Sequence, residues 1–274
     1  LISHPSWTLP RYNPAILYFI IIHIKYNITM SDDEDKPKKK PKPLKINGTL
    51  PNKIIKIANV DKKFHESWEN GRGLCDIPHP FRMCILGKVG MGKSTLAKNI
   101  LIRCQLGKYP FQELIVIHGS DDTKEWDECE PTMILNDIPE PQDLTMNKKK
   151  SIIIIDDFEF QKLPKQSLKN LSSMFRFVSS HHNFSIIVCY QSFFDVPPIV
   201  KKCTNVFILY RPNDDDELKT IARRVGLKGT IMVNLFREIL TEKRDTLMID
   251  MTENTPCPYR KNLFEPIEIN QNDQ

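Results

Sequence analysis

The chain has 274 residues, enough to bury a large core and, at roughly 150 residues per domain, to form one or two domains. Its 39 basic and 34 acidic residues leave a net charge of +5, which by itself is no evidence for a nucleic-acid partner. The seven cysteines contain no C-x-x-C pair, and Cys84 and Cys189 lie inside apolar runs, so buried free thiols are expected rather than disulfides or zinc ligands. A reducing, intracellular location is the corresponding expectation.

Residues 1–29 differ in character from the rest of the chain. They carry no acidic residue and two basic ones, Arg11 and Lys25, around the apolar run Ala15 to Ile22. Eight residues are too short for a bilayer, which takes about 20. No small-residue cleavage site comes after Ile24-Lys25-Tyr26, which argues against a secretory leader. The expectation is that residues 1–29 are translated upstream sequence or a fragment edge, with the native start at Met30 and no stable membrane insertion; a membrane anchor is the alternative. From Met30 to residue 50, Asp32 to Asp35 precede a lysine run broken by Pro37, Pro41 and Pro43. No apolar face can form there, which predicts a disordered charged tail. The lysine run fits a nuclear localisation signal, a loose DNA contact or a solubilising tail. The folded domain is expected over residues 51–268, with 269–274 a C-terminal tail.

Within it, residues 53–60 read as an early edge strand and 68–80 as a loop. Met83 to Leu86 is an apolar, strand-like run that leads into Gly87-Lys88-Val89-Gly90-Met91-Gly92-Lys93-Ser94, a match to G-x-x-x-x-G-K-[ST]. A helix-compatible segment comes next, with Leu96, Ile100 and Leu101 on one face. Strand, glycine-rich turn and helix together make a phosphate-binding loop, because the glycines let backbone N–H groups converge and the helix adds its positive end. Gly87 to Thr95 would cradle a nucleoside triphosphate, with Lys93 on the β- and γ-phosphates and Ser94 on Mg²⁺.

Leu114 to His118 is a further strand, 119–130 a polar stretch, and 131–150 a connection with three prolines. Residues 151–159, Ser-Ile-Ile-Ile-Ile-Asp-Asp-Phe-Glu, read as a strand buried on both faces of a parallel sheet, its acids emerging at the carboxyl edge where such sheets bind ligands. Asp156 is the expected Walker B acid, holding Mg²⁺ directly or through water, and Asp157 the group that orients or deprotonates the attacking water. Glu159 is a rival for that base, since period-two alternation puts it on the same side as Asp157.

Leu168 to Val178 has helical spacing in Leu168, Leu171, Phe175 and Val178, and Phe184 to Cys189 and Val206 to Tyr210 are buried strands. Gln191 stands after the first of these two strands, where additional-strand ATPases place a sensor for the γ-phosphate or the attacking water. On this residue alone, an amide capping the next turn is the favoured reading. Asp214 to Val225 is a helix with acids in its first turn and Arg223 and Arg224 in its last. Ile231 to Leu240 is another, and Leu247 to Met251 a final strand. No N-K-x-D stretch for guanine and no L-S-G-G-Q stretch of ABC-type ATPases occurs.

The phosphate loop, SIIIIDDF, the segment HHNFSIIVCYQSFFDVPPIVKKCTNVFILYRP and the closing LMIDMTENTPCPYRKNLFEPI resemble the genome-packaging ATPases of large eukaryotic DNA viruses, virophages and Polinton elements, within the FtsK/HerA group. The resemblance covers about residues 78–268, and the stretch from Gln191 to Arg211 is its most specific part. It implies a P-loop NTPase of the additional-strand, RecA-like type, an α/β fold with a mainly parallel central sheet and helices on both faces. It also implies an ATP- and Mg²⁺-dependent ATPase that forms a homo-oligomeric ring, moves double-stranded DNA and docks on capsid or portal proteins. Its location would be host cytoplasm or nucleus, or the virion. Lys93, Ser94, Asp156, Asp157 and Gln191 match the family's motif positions, although Asp157 stands where glutamate is frequent. A ring motor also needs an arginine from a neighbouring subunit, for which Arg211 and Arg176 are the candidates, although an ordinary surface or salt-bridging arginine is the favoured reading of each. Lys201 and Lys202 are candidate phosphate contacts, although a charged turn after a di-proline is usually just solvated. A DNA segregation or conjugation ATPase, a P-loop small-molecule kinase and an inactive structural homologue are the competing readings.

Overall fold

Alternating apolar runs and amphipathic segments build a central sheet with helices on either side. The computed structural model describes residues 77, 79–105, 110–120, 124–144, 150–182, 184–212, 214–253 and 255–269. The leader, the charged tail, the strand expected at 53–60 and the last five residues lie outside them.

The first strand, β1 (Arg82–Leu86), runs through the glycine-rich turn into helix α1 (Lys93–Gln105). Strands β2 (Glu113–His118), β3 (Met133–Leu135), β4 (Ser151–Asp156), β5 (Phe184–Tyr190) and β6 (Val206–Tyr210) come next, then β7 (Thr246–Asp250), β8 (Tyr259–Lys261) and β9 (Glu265–Pro266). The sheet order is β3-β2-β4-β5-β1-β6-β7-β8-β9. Pairings from β3 to β6 are parallel, and those from β6 to β9 antiparallel. Because β5 lies between β1 and β4, the phosphate-loop strand and the acidic strand are separated by one added strand. That is the additional-strand order, and it makes the mainly parallel α/β fold a finding.

Period-two alternation distributes each strand over two apolar layers. Cys84 and Leu86 of β1, Ile153 and Ile155 of β4, and Ile186 and Val188 of β5 share one layer. Met83, Ile85, Ile152, Ile154 and Ile187 share the other. Helix α1 lays Ala97, Ile100, Leu101 and Cys104 on the second layer, at the spacing of one helical face. Leu96 is only partly buried; Ala97 occupies the face expected of it. The short helix α2 (Lys124–Asp127) adds Trp126 to this layer.

The first layer is covered by α3 (Lys165–Ser173), α4 (Pro198–Cys203), α5 (Asp215–Arg224) and α6 (Gly229–Asn234). Helix α3 continues through a π-helical turn, Met174–Val178, into Ser179–His181. Leu168, expected on its buried face, is exposed at 37%, and Met174 packs inward beside Leu171, Phe175 and Val178. Helix α5 is capped by Asp214, whose side chain accepts from the Asp216 N–H at 2.8 Å, and its acidic start and basic end suit the macrodipole.

Residues 131–150 are more than a connection. Strand β3 pairs Met133 to Leu135 with Ile115 to Ile117, a three-residue edge too short and too exposed to show a periodic signal. Strands β8 and β9 were likewise not expected as elements; a buried ion pair, Arg260 Nη2 to Asp250 Oδ2 at 3.1 Å, ties β8 to the end of β7. Among the described residues no helix is long and apolar enough to cross a membrane.

Candidate functional site

The parallel strands β1, β4, β5 and β6 all end at one edge of the sheet, and the predicted site residues collect there, Arg176 excepted. The loop between β1 and α1 turns through Gly90 at φ +75° and Gly92 at φ +97°, backbone that L side chains rarely adopt. Gly87 meets a different demand. A Cβ there would lie 2.8 Å from Tyr210 Cδ2, so the ring at the end of β6 packs on bare backbone. Tyr210 also donates from its hydroxyl to the Gly92 carbonyl at 3.3 Å, which ties both ends of the loop to β6. Burial pushes the Tyr210 phenol up to about 12, so it stays a donor. Lys93 Nζ donates to the Lys88 carbonyl at 3.1 Å, across the loop. Lys88, Val89, Gly90 and Thr95 are exposed, Gly92 and Ser94 intermediate, and Met91 buried.

Asp156 is the last residue of β4 and 2% exposed, with an Oδ2 that has no hydrogen-bond partner. A buried carboxylate oxygen without a partner is costly, and a cation is what such an atom fits. Cys189, near the end of β5, stands beside the same carboxylate; burial first, and then the Asp156 charge, push its thiol well up. Across the β2–β4 pairing stands His118, opposite Asp156. Its Nε2 is 3.4 Å from Glu125 Oε1, beyond good hydrogen-bond length, and its Nδ1 lies 3.1 Å from the Ser120 N–H. Ligand atoms of His118, Glu125 and Asp156 lie within 4.8 Å of one another. The sequence reading missed His118 and Glu125. The available signal was a histidine closing a buried strand beside the acidic one, but it needed the strand register to mean anything.

Asp157 is off the strand. It sits at φ +48°, exposed, with its carbonyl so close to Gly119 that a Cβ there would come within 2.6 Å. Aspartate tolerates this left-handed backbone better than most residues. The turn breaks the alternation that put Glu159 beside Asp157. Glu159 is instead exposed and ion-paired with Lys162. Phe158 and Phe160 pack edge to face at 5.2 Å, and Phe160 stacks on Tyr190 at 4.6 Å, which holds the segment after Asp157 against the first layer.

Gln191 is exposed immediately after β5, and its amide caps nothing among the described residues. The turn behind it is fixed by other groups. Buried Glu217 accepts from the Phe193 N–H and from Ser192 Oγ, and Asp195 accepts from Gln161 Nε2 at 2.9 Å. Arg211 comes directly after β6 at this same edge and is exposed. Arg176 is elsewhere. It lies on the π-helical turn after α3 and lines a cleft with Arg82, the first residue of β1, at the opposite edge.

No protein family matches the chain, and no curated protein does. Among solved structures, the fold is similar to the genome packaging NTPase B204 of Sulfolobus turreted icosahedral virus 2 in complex with sulfate, at 17% identity and TM-score 0.47, covering 70% of this chain and 100% of that chain. Its complex with ATP-gammaS aligns at 18% identity and TM-score 0.44 over 63% and 93%. The pCW3 conjugation coupling protein TcpA, with ATPgS, aligns at 12% identity and TM-score 0.42 over 74% of this chain and 62% of that one.

Proposed function

We propose that the chain is an Mg²⁺-dependent ATPase and a motor subunit that translocates double-stranded DNA, packaging a viral or virus-like genome into a capsid. The observation that carries the ATPase is the meeting, at one sheet edge, of a glycine-rich loop before α1 with the buried, unpartnered Asp156 carboxylate, one strand apart. The DNA and packaging parts rest on the sequence resemblance from Gln191 to Arg211.

In this reading the backbone N–H groups of Gly87 to Thr95 hold the phosphates, and Lys93 leaves the Lys88 carbonyl to meet the β- and γ-oxygens. Ser94 and Asp156 would hold Mg²⁺, which would supply positive charge against the negative charge that develops as the phosphate is transferred. The Cys189 thiol, kept protonated by burial and by the Asp156 charge, stands beside that carboxylate. Asp157 orients the attacking water and takes its proton, and Gln191 hydrogen-bonds that water or the γ-phosphate. Arg211 is the better placed of the two arginines to act at a nucleotide edge. The subunits form a ring and meet capsid or portal proteins, in host cytoplasm, nucleus or virion.

The deciding experiment is ATP hydrolysis by the full chain with and without long double-stranded DNA. A motor subunit shows magnesium-dependent hydrolysis that DNA accelerates. Hydrolysis indifferent to DNA would sink the motor, and phosphate transfer to a small molecule in its place would make the chain a kinase.

A further inference from the structure

The amino edge of the sheet carries a cleft of about 510 Å³ that the nucleotide chemistry does not use. Arg82, Arg176 and Lys202 line it together with Cys203, Asn205 and Met251, and no carboxylate is in its wall. None of the ion pairs among the described residues engages any of these three cations. Arg82 Nε is buried and has no hydrogen-bond partner. A guanidinium N–H withdrawn from water and left unpaired is costly, and the cleft that Arg82 lines is where its charge can meet an anion.

The backbone that carries Arg82 and Lys202 is held in place from behind. Asn205 Oδ1 accepts from the Arg82 N–H at 2.7 Å, Asn205 N–H donates to the Arg82 carbonyl at 3.0 Å, and the Asn205 carbonyl accepts from Met251 at 2.8 Å. Arg224 donates to the carbonyls of Lys201 and Lys202, at 3.1 and 2.8 Å, and so fixes the end of α4 that presents Lys202. Arg176 stands on a π-helical turn, a departure from α-helix that is frequent at functional sites. The neighbouring carboxylate, Asp250, is already engaged by Arg260, Thr252 and Thr255 and does not neutralise the cleft.

We infer that this cleft binds a phosphodiester group of the DNA backbone; the inference rests on the reading of the chain as a DNA motor. Two planar guanidinium groups and an ammonium around an acid-free cavity suit a phosphate oxyanion, and contacts to backbone phosphate carry no sequence preference, as a packaging motor requires. The five residues of β1, at about 3.3 Å each, put some 16 Å between the cleft and the chain's own phosphate loop. The chain's own nucleotide is therefore out of reach, and the nucleotide phosphate of a neighbouring copy is the other source of the same chemistry. Strands β1 and β6 both begin at the cleft and end at the loop, at Gly87 and at Tyr210 on that loop. The DNA phosphate and the nucleotide are thus joined by two buried strands.

The test uses the full chain and a short fluorescent duplex of mixed sequence, with fluorescence anisotropy read across a salt series for wild type, Arg176→Gln, Lys202→Gln and the double variant. Loss of the cleft's one phosphate contact should lower the slope of log affinity against log salt by about 0.9 in the double variant and by less in either single variant, with affinity at low salt reduced about tenfold or more. Wild-type affinity and slope in the double variant, beside a wild type that does bind, would overturn the cleft and leave the motor reading standing. A wild type that binds no duplex removes the motor reading and the cleft with it. DNA-free hydrolysis that falls in variants binding duplex as wild type does would assign the cleft to a neighbour's nucleotide and overturn the DNA assignment.

Discussion

Lys93 spans its own loop to the Lys88 carbonyl, and Asp157 stands off its strand in left-handed backbone; the two residues set different expectations. Replacing Lys93 by alanine removes the charge that meets the phosphates but no buried contact, so the protein should fold and lose hydrolysis. A folded Lys93→Ala protein with wild-type turnover would remove the phosphate-loop assignment. Asp157→Asn should retain Mg²⁺–ATP binding through Asp156 and lose the group that activates water, an effect of about 10²–10⁴ on rate. Glu159 is tied to Lys162 at the surface, and Glu159→Gln should turn over nearly normally. The reverse order of the two rates would make Glu159 the base. Gln191→Ala should bind ATP with near-normal affinity and lose most stimulation by DNA; full stimulation would leave the residue without a sensing role.

Between elements, the site depends on two close backbone approaches. Gly119, just after β2, lies against the Asp157 carbonyl, where a Cβ would come within 2.6 Å of a backbone atom that cannot swing away. Gly119→Ala should therefore displace Asp157 and lower turnover about as Asp157→Asn does, while nucleotide affinity holds. Normal turnover in that variant would mean that the Asp157 turn is free to move without consequence. Strand β8 gives a contrasting expectation. Arg260 is 3% exposed and its partner Asp250 1%, so Arg260→Met leaves a buried carboxylate without its cation. That should cost about 3–5 kcal/mol of stability in chemical denaturation, with the nucleotide edge untouched at the far end of β7. A loss below about 1 kcal/mol, the range of exposed pairs, would show that the antiparallel extension is dispensable.

At the scale of the molecule, a ring makes a prediction that no single subunit can. If Arg211 acts in a neighbour's site, inactive Arg211→Ala and inactive Lys93→Ala proteins should recover hydrolysis on mixing, because some interfaces then pair an intact loop with an intact arginine. No recovery at any ratio would place Arg211 in its own site or outside catalysis.

The sequence by itself determined the site's parts wherever the chemistry is local. The glycine spacing from Gly87 to Gly92 and the isoleucine run into Asp156 are short-range patterns, and strand, turn and helix arise from them directly. What alternation could not foresee was Asp157, because a single left-handed residue resets the period and separates Glu159 from it. Strand β3 and His118 were hidden for another reason: an edge of three residues has no periodicity, and a strand-end histidine gains meaning only when pairing sets it opposite Asp156. The basic cleft is the clearest case of a tertiary decision. Arg82, Arg176 and Lys202 come from three separate elements, and only the sheet order, with β1 beside β6 and α3 packed on the same layer, gathers their charges without an acid among them.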